Sequence, residues 1–206
     1  MSPRRRDQHV ADTREALVAA ARELFAERGY AATGTEEIVA RAQVTRGALY
    51  HHFRDKADLF RAVMERIARE VAEQLIDREL RRAADGPGDA WEQLRNGCQA
   101  FLDACMRSDF QRIVLVDGPA VLGHEAWDAL VEEFGYSLLA DWLRKAIEEG
   151  RIDPLPVPPL TRLLAALISE ASLYTARGDD PARARREAGE VLDRLLAGLD
   201  RGAAAG

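Results

Sequence analysis

The stretch from Thr33 to Lys56 constrains the fold of this chain more than any other part, because it holds two helix starts and a tight turn within 24 residues. Thr33 and Glu36 have the spacing of a capping box, in which a hydroxyl and a carboxylate satisfy free backbone N–H groups. The first short helix is expected to end near Ala42. The second is expected to follow Thr45, which is a good N-cap residue. Two short helices separated by such a turn form a helix-turn-helix.

The second short helix of this motif has an apolar side and a polar side. Leu49 and Phe53 lie four residues apart and are predicted to face the core. The opposite side carries a basic, aromatic and glycine-bearing surface, formed by Arg46, Gly47, Tyr50 and His51. A recognition helix needs short residues where its backbone nears the bases and hydrogen-bond donors for the flanking phosphates. The pattern therefore fits DNA recognition in the major groove, and a helical hairpin with an ordinary solvated face is the alternative.

Three sequence motifs follow one another in this region: LF-x-E-x-G-Y at the end of a first helix, T-x-x-x-I in the second, and L-Y-x-H-F-x-x-K closing the third. Together they resemble the N-terminal DNA-binding domain of the TetR/AcrR family of transcriptional repressors, over about residues 11–65. Two positions depart from that family. Gln43 stands where the turn usually has a glycine, and Gly34 stands where a β-branched or polar residue is common. We expect Gln43 to require a slightly different turn conformation.

The resemblance implies a homodimer that binds a double-stranded DNA operator through its third helix and is released by a small-molecule effector. It places Arg46, Gly47 and His51 against the bases. The positions that match other DNA-binding residues of the family, mostly phosphate contacts, are Thr33, Thr35, Thr45, Tyr50, His52 and Lys56. The implied fold is all-α, with an N-terminal three-helix helix-turn-helix domain and a C-terminal helical ligand-binding and dimerisation domain. We expect about nine helices in all.

The expected domain boundary lies at the start of the fourth helix. The DNA-binding domain is predicted to span residues 1–56 and the effector-binding and dimerisation domain residues 57–206, with a helix from Lys56 to Ala83 as the connector. The first helix is expected over Asp12–Arg28, capped by Asp12 and Glu15. The remaining predicted elements are helices over 89–107, 111–116, 124–149, 159–176 and 181–199, a turn at 117–119 and a frayed end at 200–206.

The charge distribution agrees with this division. The whole chain has a formal net charge of −6, yet residues 1–56 carry a net charge of +2 and the remainder a net charge of −8. A sequence-specific DNA-binding protein with a modest phosphate footprint has this distribution. Arg4, Arg5 and Arg6 form either a disordered arm that attracts phosphates or a solvated terminus.

Other functional classes find little support in the sequence. It contains no P-loop, HExxH or GxGxxG motif, so we expect no catalytic residue, metal site or cofactor. A basic start without a following apolar segment, and no apolar run of about 18 residues, predict a cytoplasmic protein without a membrane span. Cys98 and Cys105 are spaced too widely along a helix to form a disulfide with each other. They are expected to be reduced residues of the core or pocket, with redox sensing as the alternative.

The family places an effector pocket among its middle helices, and the candidate lining residues follow by analogy. These are Trp91, Phe101, Cys105, Phe110, Asp117, Trp127, Phe134, Leu138, Glu170 and Tyr174. For most of them a plain core position is the alternative. The expected pocket is apolar with few polar anchors, which suits an apolar or amphipathic effector. The competing function is a helical small-molecule carrier or enzyme with a vestigial helix-turn-helix.

The last two predicted helices carry apolar stripes that are wider than one small domain needs, so they form either core or interface. The resemblance favours interface, because the family builds its dimer from a four-helix bundle at this place. The candidate interface residues are Leu160, Leu164, Leu167, Ala171, Val191, Leu192, Leu195 and Leu199.

Overall fold

A computed structural model of the chain describes residues 3–84, 86 and 88–201. In that part of the chain ten α-helices and two π-helical segments occur, with one isolated antiparallel bridge between Ile152 and Asp200. The α-helices are α1 Pro3–Arg28, α2 Thr35–Arg41, α3 Arg46–His52, α4 Lys56–Ala84, α5 Ala90–Cys105, α6 Gly118–Leu122, α7 His124–Val131, α8 Ser137–Glu148, α9 Val157–Ala176 and α10 Pro181–Ala197. The prediction of an all-α fold is confirmed.

The helices form two compact units. The first comprises residues up to Ile67 together with Ser108–Trp127, and the second comprises Ala68–Arg107 together with the residues from Asp128 onward. Helix α4 therefore contributes to both units. The predicted domain boundary at Lys56 stays a prediction. No sequence pattern indicates that residues 108–127 pack with the helix-turn-helix.

An aromatic cluster organises the core of the first unit. The ring of Phe25 on α1 lies 5.2 Å from that of Phe60 on α4 and 5.7 Å from that of Tyr30, and the rings of Tyr30 and Phe60 are 5.1 Å apart. Phe25 and Phe60 are fully buried, as are Leu17 and Leu24 on the same side of α1. Large buried aromatic side chains contribute much of the hydrophobic stabilisation of a small domain. The predicted apolar stripe of α1 is therefore its core face.

Helix α1 begins at Pro3, nine residues before the predicted start at Asp12. Asp12 is not a cap but an interior residue, and its carboxylate accepts a hydrogen bond from Gln8 at 2.9 Å. The expected cap was wrong because the helical backbone continues through the nine residues before Asp12. The first turns of α1 contain Arg4–Arg6, whose side chains lie outside the described residues.

The predicted capping box at Thr33 and Glu36 is wrong by one residue. Helix α2 starts after Gly34, and the main-chain N–H of Gly34 donates to Oε2 of Glu37 at 3.1 Å. Arg28 also donates to Glu37, at 2.6 Å. The backbone hydrogen bond from Gly34, followed by the Arg28 contact, lowers the pKa of the Glu37 carboxyl below its usual value. Glu37 therefore ties the start of α2 to the end of α1.

The turn between α2 and α3 is built on a strained residue. Gln43 has a φ of 56°, in the left-handed region that glycine adopts readily and other residues avoid. Gln43 therefore takes the conformation that suits glycine, rather than the different turn conformation that was expected. Its main-chain N–H donates to Ala40 O at 3.2 Å, and Val44 N–H donates to Val39 O at 3.0 Å. These bonds close the turn and hold the strained backbone in place.

Residues 108–122 are helical and include a π-helix, Phe110–Asp117, and Gly123 separates them from α7. Asp109 caps it, because its carboxylate accepts from Phe110 N–H at 2.8 Å. The predicted turn at residues 117–119 is wrong. Helix α6 starts at Gly118, and Pro119 occupies its first turn, where a missing N–H costs nothing.

The second unit packs α5 against α8, α9 and α10. Gly97 on α5 allows the ring of Trp142 on α8 to lie directly on the helix backbone, and any added Cβ would overlap that ring. The predicted long helix over 124–149 is interrupted by a π-helical segment, Glu132–Tyr136, between α7 and α8. Such one-turn insertions keep the helix direction but shift the side chains that follow.

Both ends of the last helical pair differ from expectation. Helix α9 begins at Val157 rather than at residue 159, because Pro158 and Pro159 are tolerated in a first helical turn. The end of the chain is fixed as far as Arg201. Arg151 pairs with Asp200 at 3.2 Å, and the main-chain N–H of Arg201 donates to Arg151 O at 2.9 Å. The predicted fraying of residues 200–201 is therefore wrong, and residues 202–206 lie outside the described residues.

Candidate nucleic-acid interface

Helix α3 has the two faces that its sequence predicts. Leu49 is fully buried, and Phe53, which follows the helix, is nearly so. On the other face Arg46, Gly47 and His51 are exposed, and Tyr50 leaves 47% of its surface accessible. The buried pair holds the helix on the rest of the first unit. The exposed face is free to meet another molecule.

The start of α3 is capped by Thr45, as predicted. Its hydroxyl oxygen accepts from Ala48 N–H at 3.2 Å, and the side chain remains exposed. The hydroxyl proton is still available for a phosphate oxygen. Next to it, Gly47 is open to solvent, and an added Cβ would meet only Thr45 Oγ1, at 3.9 Å. The protein itself therefore does not require glycine at this position.

Arg46 is held between two neighbours on the exposed surface. Its Nη1 donates to Glu36 Oε1 on α2 at 3.0 Å, and its Cζ lies 5.7 Å from the centroid of the Tyr50 ring. The side chain stays 64% accessible, so the guanidinium still faces outward. Thr35, the first residue of α2, is half-buried beside this surface. The pairing of Glu36 with Arg46 is not among the contacts predicted from the sequence.

Two predicted phosphate contacts are used inside the protein instead. Thr33 is 1% accessible, and its hydroxyl donates to Leu24 O at 3.2 Å and Gly29 O at 2.8 Å. Lys56 Nζ donates to Tyr30 O at 2.9 Å and Thr33 O at 3.0 Å, and lies 4.0 Å from the Tyr30 ring centroid. The prediction that these side chains face phosphates is corrected. They fix the loop between α1 and α2, which has no helical hydrogen bonds of its own.

His51 and His52 form an edge-to-face pair with ring centroids 5.3 Å apart. His51 is exposed, whereas His52 is half-buried beside Phe53. Burial, with the charges of His51 and Arg14, lowers the pKa of His52 below its usual value. His52 is therefore less readily protonated than an ordinary histidine.

The π-helix Phe110–Asp117 is held on the rest of the first unit at both ends. At one end Arg22 on α1 donates to Asp109 Oδ2 from Nη2 at 2.6 Å and from Nε at 3.0 Å. At the other end Asp117 Oδ2 accepts from the main-chain N–H of Tyr30 at 2.8 Å. Arg112 lies 3.6 Å from Asp117 as well. Asp117, predicted as a polar anchor of the effector pocket, is therefore a structural contact of the loop after α1.

The other predicted pocket residues divide by burial. Trp91, Phe101 and Cys105 belong to the core of the second unit, and Phe110 is buried in the first. Trp127 is half-buried in the first unit and donates from Nε1 to Val114 O at 2.9 Å. Leu138 is half-buried in the second unit, and the side chain of Phe134 lies outside the described residues.

Glu170 and Tyr174 are exposed on α9 rather than enclosed. They line an open groove of about 500 Å³ between α9 and α10, together with the predicted interface residues Leu167, Ala171, Val191 and Leu192. Tyr174 is 57% accessible, so its hydroxyl needs no buried partner. Both residues were predicted as pocket residues, and the structure places them on the face predicted for dimerisation.

The predicted interface residues also divide. Leu164 and Leu192 are 7% and 1% accessible and pack inside their own protomer, which corrects their assignment. Val191 and Leu195 are more than half exposed on α10. Leu163, which is not among the predicted interface residues, is 70% accessible on α9. The half-buried members of the set are Leu160, Leu167, Ala171 and Leu199.

The two cysteines are free and fully buried. Burial, aided by the charge of Asp193, raises the pKa of the Cys98 thiol to about 12. Burial alone raises the pKa of the Cys105 thiol as well. A thiol that stays protonated and covered has neither the exposure nor the thiolate character of a redox sensor, so the core assignment holds.

Within the described ranges, no group of three or more histidine, cysteine or acidic side chains is placed to hold a metal ion. Among the helices of that part, none is both long enough and apolar enough to span a membrane.

Comparison with known proteins agrees with the site on α3. Residues 17–63 match the family of bacterial regulatory proteins known as the tetR family. Residues 91–199, more than half of the chain, match the tetracyclin repressor-like C-terminal domain. The two matches cover the helix-turn-helix and most of the second unit.

Individual relatives give the same result. The chain is 33% identical over 112 residues to the HTH-type transcriptional regulator AcrR of Shigella flexneri, a match that covers 54% of this chain and spans half the length of AcrR. The crystal structure of a TetR-family transcriptional regulator from Pectobacterium atrosepticum has 34% identity and a TM-score of 0.75, covering 94% of this chain and 97% of that one. The structure of RolR with resorcinol has 22% identity and a TM-score of 0.66, covering 91% and 96%, and shows the same fold.

These matches decide between the two functions that the sequence left open. TetR proteins are transcriptional regulators and not enzymes, which confirms the prediction of a non-enzymatic protein and removes the basis for a vestigial helix-turn-helix. The ten-helix fold, the exposed polar face of α3 and the matches over both parts of the chain agree. The chain belongs to the TetR family of DNA-binding transcriptional regulators.

Proposed function

We propose that this chain is a ligand-responsive repressor that binds a palindromic operator as a homodimer and leaves it when a small molecule binds the C-terminal domain. The observation that carries the proposal is the surface of α3, on which Arg46, Gly47, Tyr50 and His51 are exposed while Leu49 is buried. A chromosomal operator places the protein in the cytoplasm.

Each exposed residue of this surface has a role that its chemistry supports. Arg46 offers two parallel donors to O6 and N7 of a guanine. Gly47 lets the helix backbone approach the base edges. Thr45, Tyr50 and His52 donate to phosphate oxygens, which position the helix without reading sequence. His51 lies on the exposed face beside the base-reading positions, and Thr35 lies at the start of α2 next to them.

The apolar face of α9 and α10 supports a homodimer. Leu163, Val191 and Leu195 expose 70%, 56% and 52% of their surface, and Tyr174 on α9 is also exposed. Such exposed apolar side chains on two neighbouring helices are typical of an interaction surface. A second copy related by a two-fold axis presents the same face and covers it. Two recognition helices related in this way read a palindrome, with half-sites about 34–36 Å apart.

The effector part of the proposal rests on shared fold and composition. RolR, which has this fold, was crystallised with resorcinol, a small aromatic molecule. In this chain the candidates for contacts with an apolar or amphipathic effector are apolar residues of the second unit, Trp91, Phe101, Cys105 and Leu138. Because α4 belongs to both units, a shift of its second half reaches the DNA-binding unit through a continuous helix. An effector that favours the DNA-free form by a few kcal/mol suffices.

The test uses DNA selected by the protein itself. Duplexes are enriched from a randomised library with the wild-type protein, and fluorescence anisotropy then measures affinity for the enriched and a scrambled duplex at two salt concentrations. We expect a palindromic preference, an affinity that falls as salt rises, and a dimer in sedimentation. A panel of small phenols and other amphipathic compounds is added to find one that releases the DNA.

The variants separate DNA reading from general charge. Arg46→Ala should reduce the preference for the enriched duplex. Arg41→Ala, which removes the same charge from the side chain that pairs with Glu23 on α1 at 2.9 Å, should leave the preference intact. Absence of any sequence preference in the wild-type protein at low salt would contradict the proposal.

A further inference from the structure

Glu36 and Arg46 meet across the helix-turn-helix, with Glu36 Oε1 accepting from Arg46 Nη1 at 3.0 Å. Both side chains are well exposed, with 77% and 64% of their surface accessible. A carboxylate at this place is unexpected on electrostatic grounds, because the surface that meets DNA faces a dense row of phosphate charges. The contact therefore requires a functional explanation.

The contact with Glu36 leaves one edge of the Arg46 guanidinium available for a DNA base. A guanidinium carries five N–H donors in one plane, and the contact with Glu36 uses Nη1. Nε and Nη2 form a second edge with two parallel donors, which matches the O6 and N7 acceptors of guanine. Arg46 can accordingly hold Glu36 and a guanine at the same time.

A second neighbour restricts the guanidinium further. The Tyr50 ring lies one helical turn along α3, with its centroid 5.7 Å from Arg46 Cζ. A carboxylate and an aromatic face thus flank the same cation. An arginine that is already held in place loses less side-chain entropy when it binds a base.

Glu37, the adjacent acid, does not share this role. Its carboxylate accepts from Gly34 N–H and from Arg28, which lie on the α1 side of the helix. Glu36 pairs with Arg46 on α3 instead. The two neighbouring acids therefore separate into one that fixes the start of α2 and one that faces the recognition helix.

We propose that Glu36 is a specificity-determining residue, which orients Arg46 toward a guanine edge and disfavours DNA in which that edge is absent. At a DNA site that contains this guanine, the contacts of the oriented Arg46 offset the repulsion between the Glu36 carboxylate and the phosphates. At other sites Arg46 has no bidentate partner, and the repulsion between Glu36 and the phosphates lowers affinity. This inference rests on the proposed function, in which Arg46 reads a base.

The test compares affinities for the duplex enriched by the wild-type protein and for its scrambled counterpart. Glu36→Ala should weaken binding to the enriched duplex and strengthen binding to the scrambled one, so that the ratio of the two affinities falls about tenfold. Glu36→Gln retains an acceptor of the same length, and its ratio should lie between those of the wild-type and Glu36→Ala proteins. If Glu36 acted only by repelling phosphates, its replacement by Ala would raise both affinities equally. Opposite changes on the two duplexes therefore indicate that Glu36 positions Arg46.

Glu23 supplies the matched control. It forms a similar exposed pair with Arg41, at 2.9 Å, on the outer side of α1 and α2. Glu23→Ala removes the same charge and one ion pair, so it should leave the ratio of affinities unchanged. Thermal unfolding of each variant verifies that the fold is intact.

A double-mutant cycle links the effect to Arg46. In an Arg46→Ala background, replacing Glu36 by Ala should no longer alter the ratio of affinities. An unchanged ratio in the single Glu36→Ala variant, or an equal loss in both backgrounds, would overturn the inference and leave the proposed function standing. A wild-type protein that selects no sequence would overturn both.

Discussion

Asp117 and Tyr30 are joined by a hydrogen bond from the Tyr30 main-chain N–H to Asp117 Oδ2, 2.8 Å long, although 87 residues separate them in the chain. Tyr30 is in the loop after α1, where it also belongs to the aromatic cluster and supplies a carbonyl to Lys56. Asp117 closes the π-helix that Asp109 opens. The bond therefore connects the segment 108–127 directly to the loop that supports the helix-turn-helix.

We expect Asp117→Ala to destabilise the first unit, because it leaves a half-buried N–H without its acceptor, at a cost of about 1–3 kcal/mol. Asp117→Asn keeps an acceptor oxygen and loses only the charge opposite Arg112, so its effect should be smaller. Urea unfolding monitored by circular dichroism measures the difference. Equal stabilities of the Ala and Asn variants would show that the hydrogen bond contributes nothing.

The Gly47→Ala variant tests whether glycine at this position serves DNA binding rather than stability. An alanine at this position would meet no atom closer than 3.9 Å, and alanine favours helix over glycine by up to about 1 kcal/mol. The variant should therefore be at least as stable as the wild-type protein. If the α3 backbone approaches base edges at Gly47, the added methyl group should still reduce affinity for the enriched duplex. Thermal unfolding and anisotropy measure the two quantities, and a stable variant with unchanged affinity would remove Gly47 from the interface.

Replacing Gln43 by glycine should stabilise the protein, because a φ of 56° is unfavourable for a residue with a Cβ. Gln43→Gly relieves about 1–2 kcal/mol of strain and adds some entropy to the unfolded chain, so a net gain of about 0.5–1 kcal/mol is expected. Gln43→Asn, which tolerates this conformation, should give a smaller gain, and Gln43→Val should destabilise. Chemical denaturation ranks the three, and a Val variant as stable as the Gly variant would contradict the strain.

The features that the sequence predicts correctly are those determined by residues close together in the chain. The buried pair of Leu49 and Phe53, the cap at Thr45 and the start of α4 at Lys56 all follow from spacing within one or two turns. The capping box was predicted one residue too early, at Thr33 rather than Gly34, because glycine and threonine are both acceptable caps. Local pattern cannot choose between them when Thr33 is required elsewhere as a buried hydroxyl.

The elements that sequence misses depend on distant partners. Lys56 and Thr33 looked like phosphate donors, and only the fold shows that they donate to the loop between α1 and α2. Asp117 looked like a pocket anchor for the same reason. The pairing of Glu36 with Arg46 spans the turn of the motif. A spacing of ten residues across a tight turn could have indicated it, but the polar periodicity of each helix alone does not.

The exposed apolar face of α9 and α10 provides a test of the proposed homodimer. Val191→Glu and Leu195→Glu place charges on side chains that are already more than half exposed, so each protomer should remain folded. Both variants should be monomeric in sedimentation and should bind the enriched palindrome far more weakly. Val116→Glu, at a residue 50% exposed on the π-helix of the first unit, is the control and should remain dimeric. A Val191→Glu variant that stays dimeric would place the interface elsewhere.

Cys98 predicts a pH dependence of stability at alkaline pH. Its pKa is raised from an ordinary value of 9.0 to about 12, mainly by burial, so the folded protein keeps a proton that the unfolded chain releases above pH 9. Stability is therefore complete below the unfolded pKa and is lost as the pH rises from about 9 toward 12. The loss approaches about 1.4 kcal/mol per pH unit for this thiol. Urea unfolding of the wild-type and Cys98→Ala proteins across this range measures how the free energy of unfolding changes with pH. The difference between the two proteins removes the contributions of other titrating groups. Parallel pH profiles would show that Cys98 ionises as easily in the folded protein as in the unfolded chain.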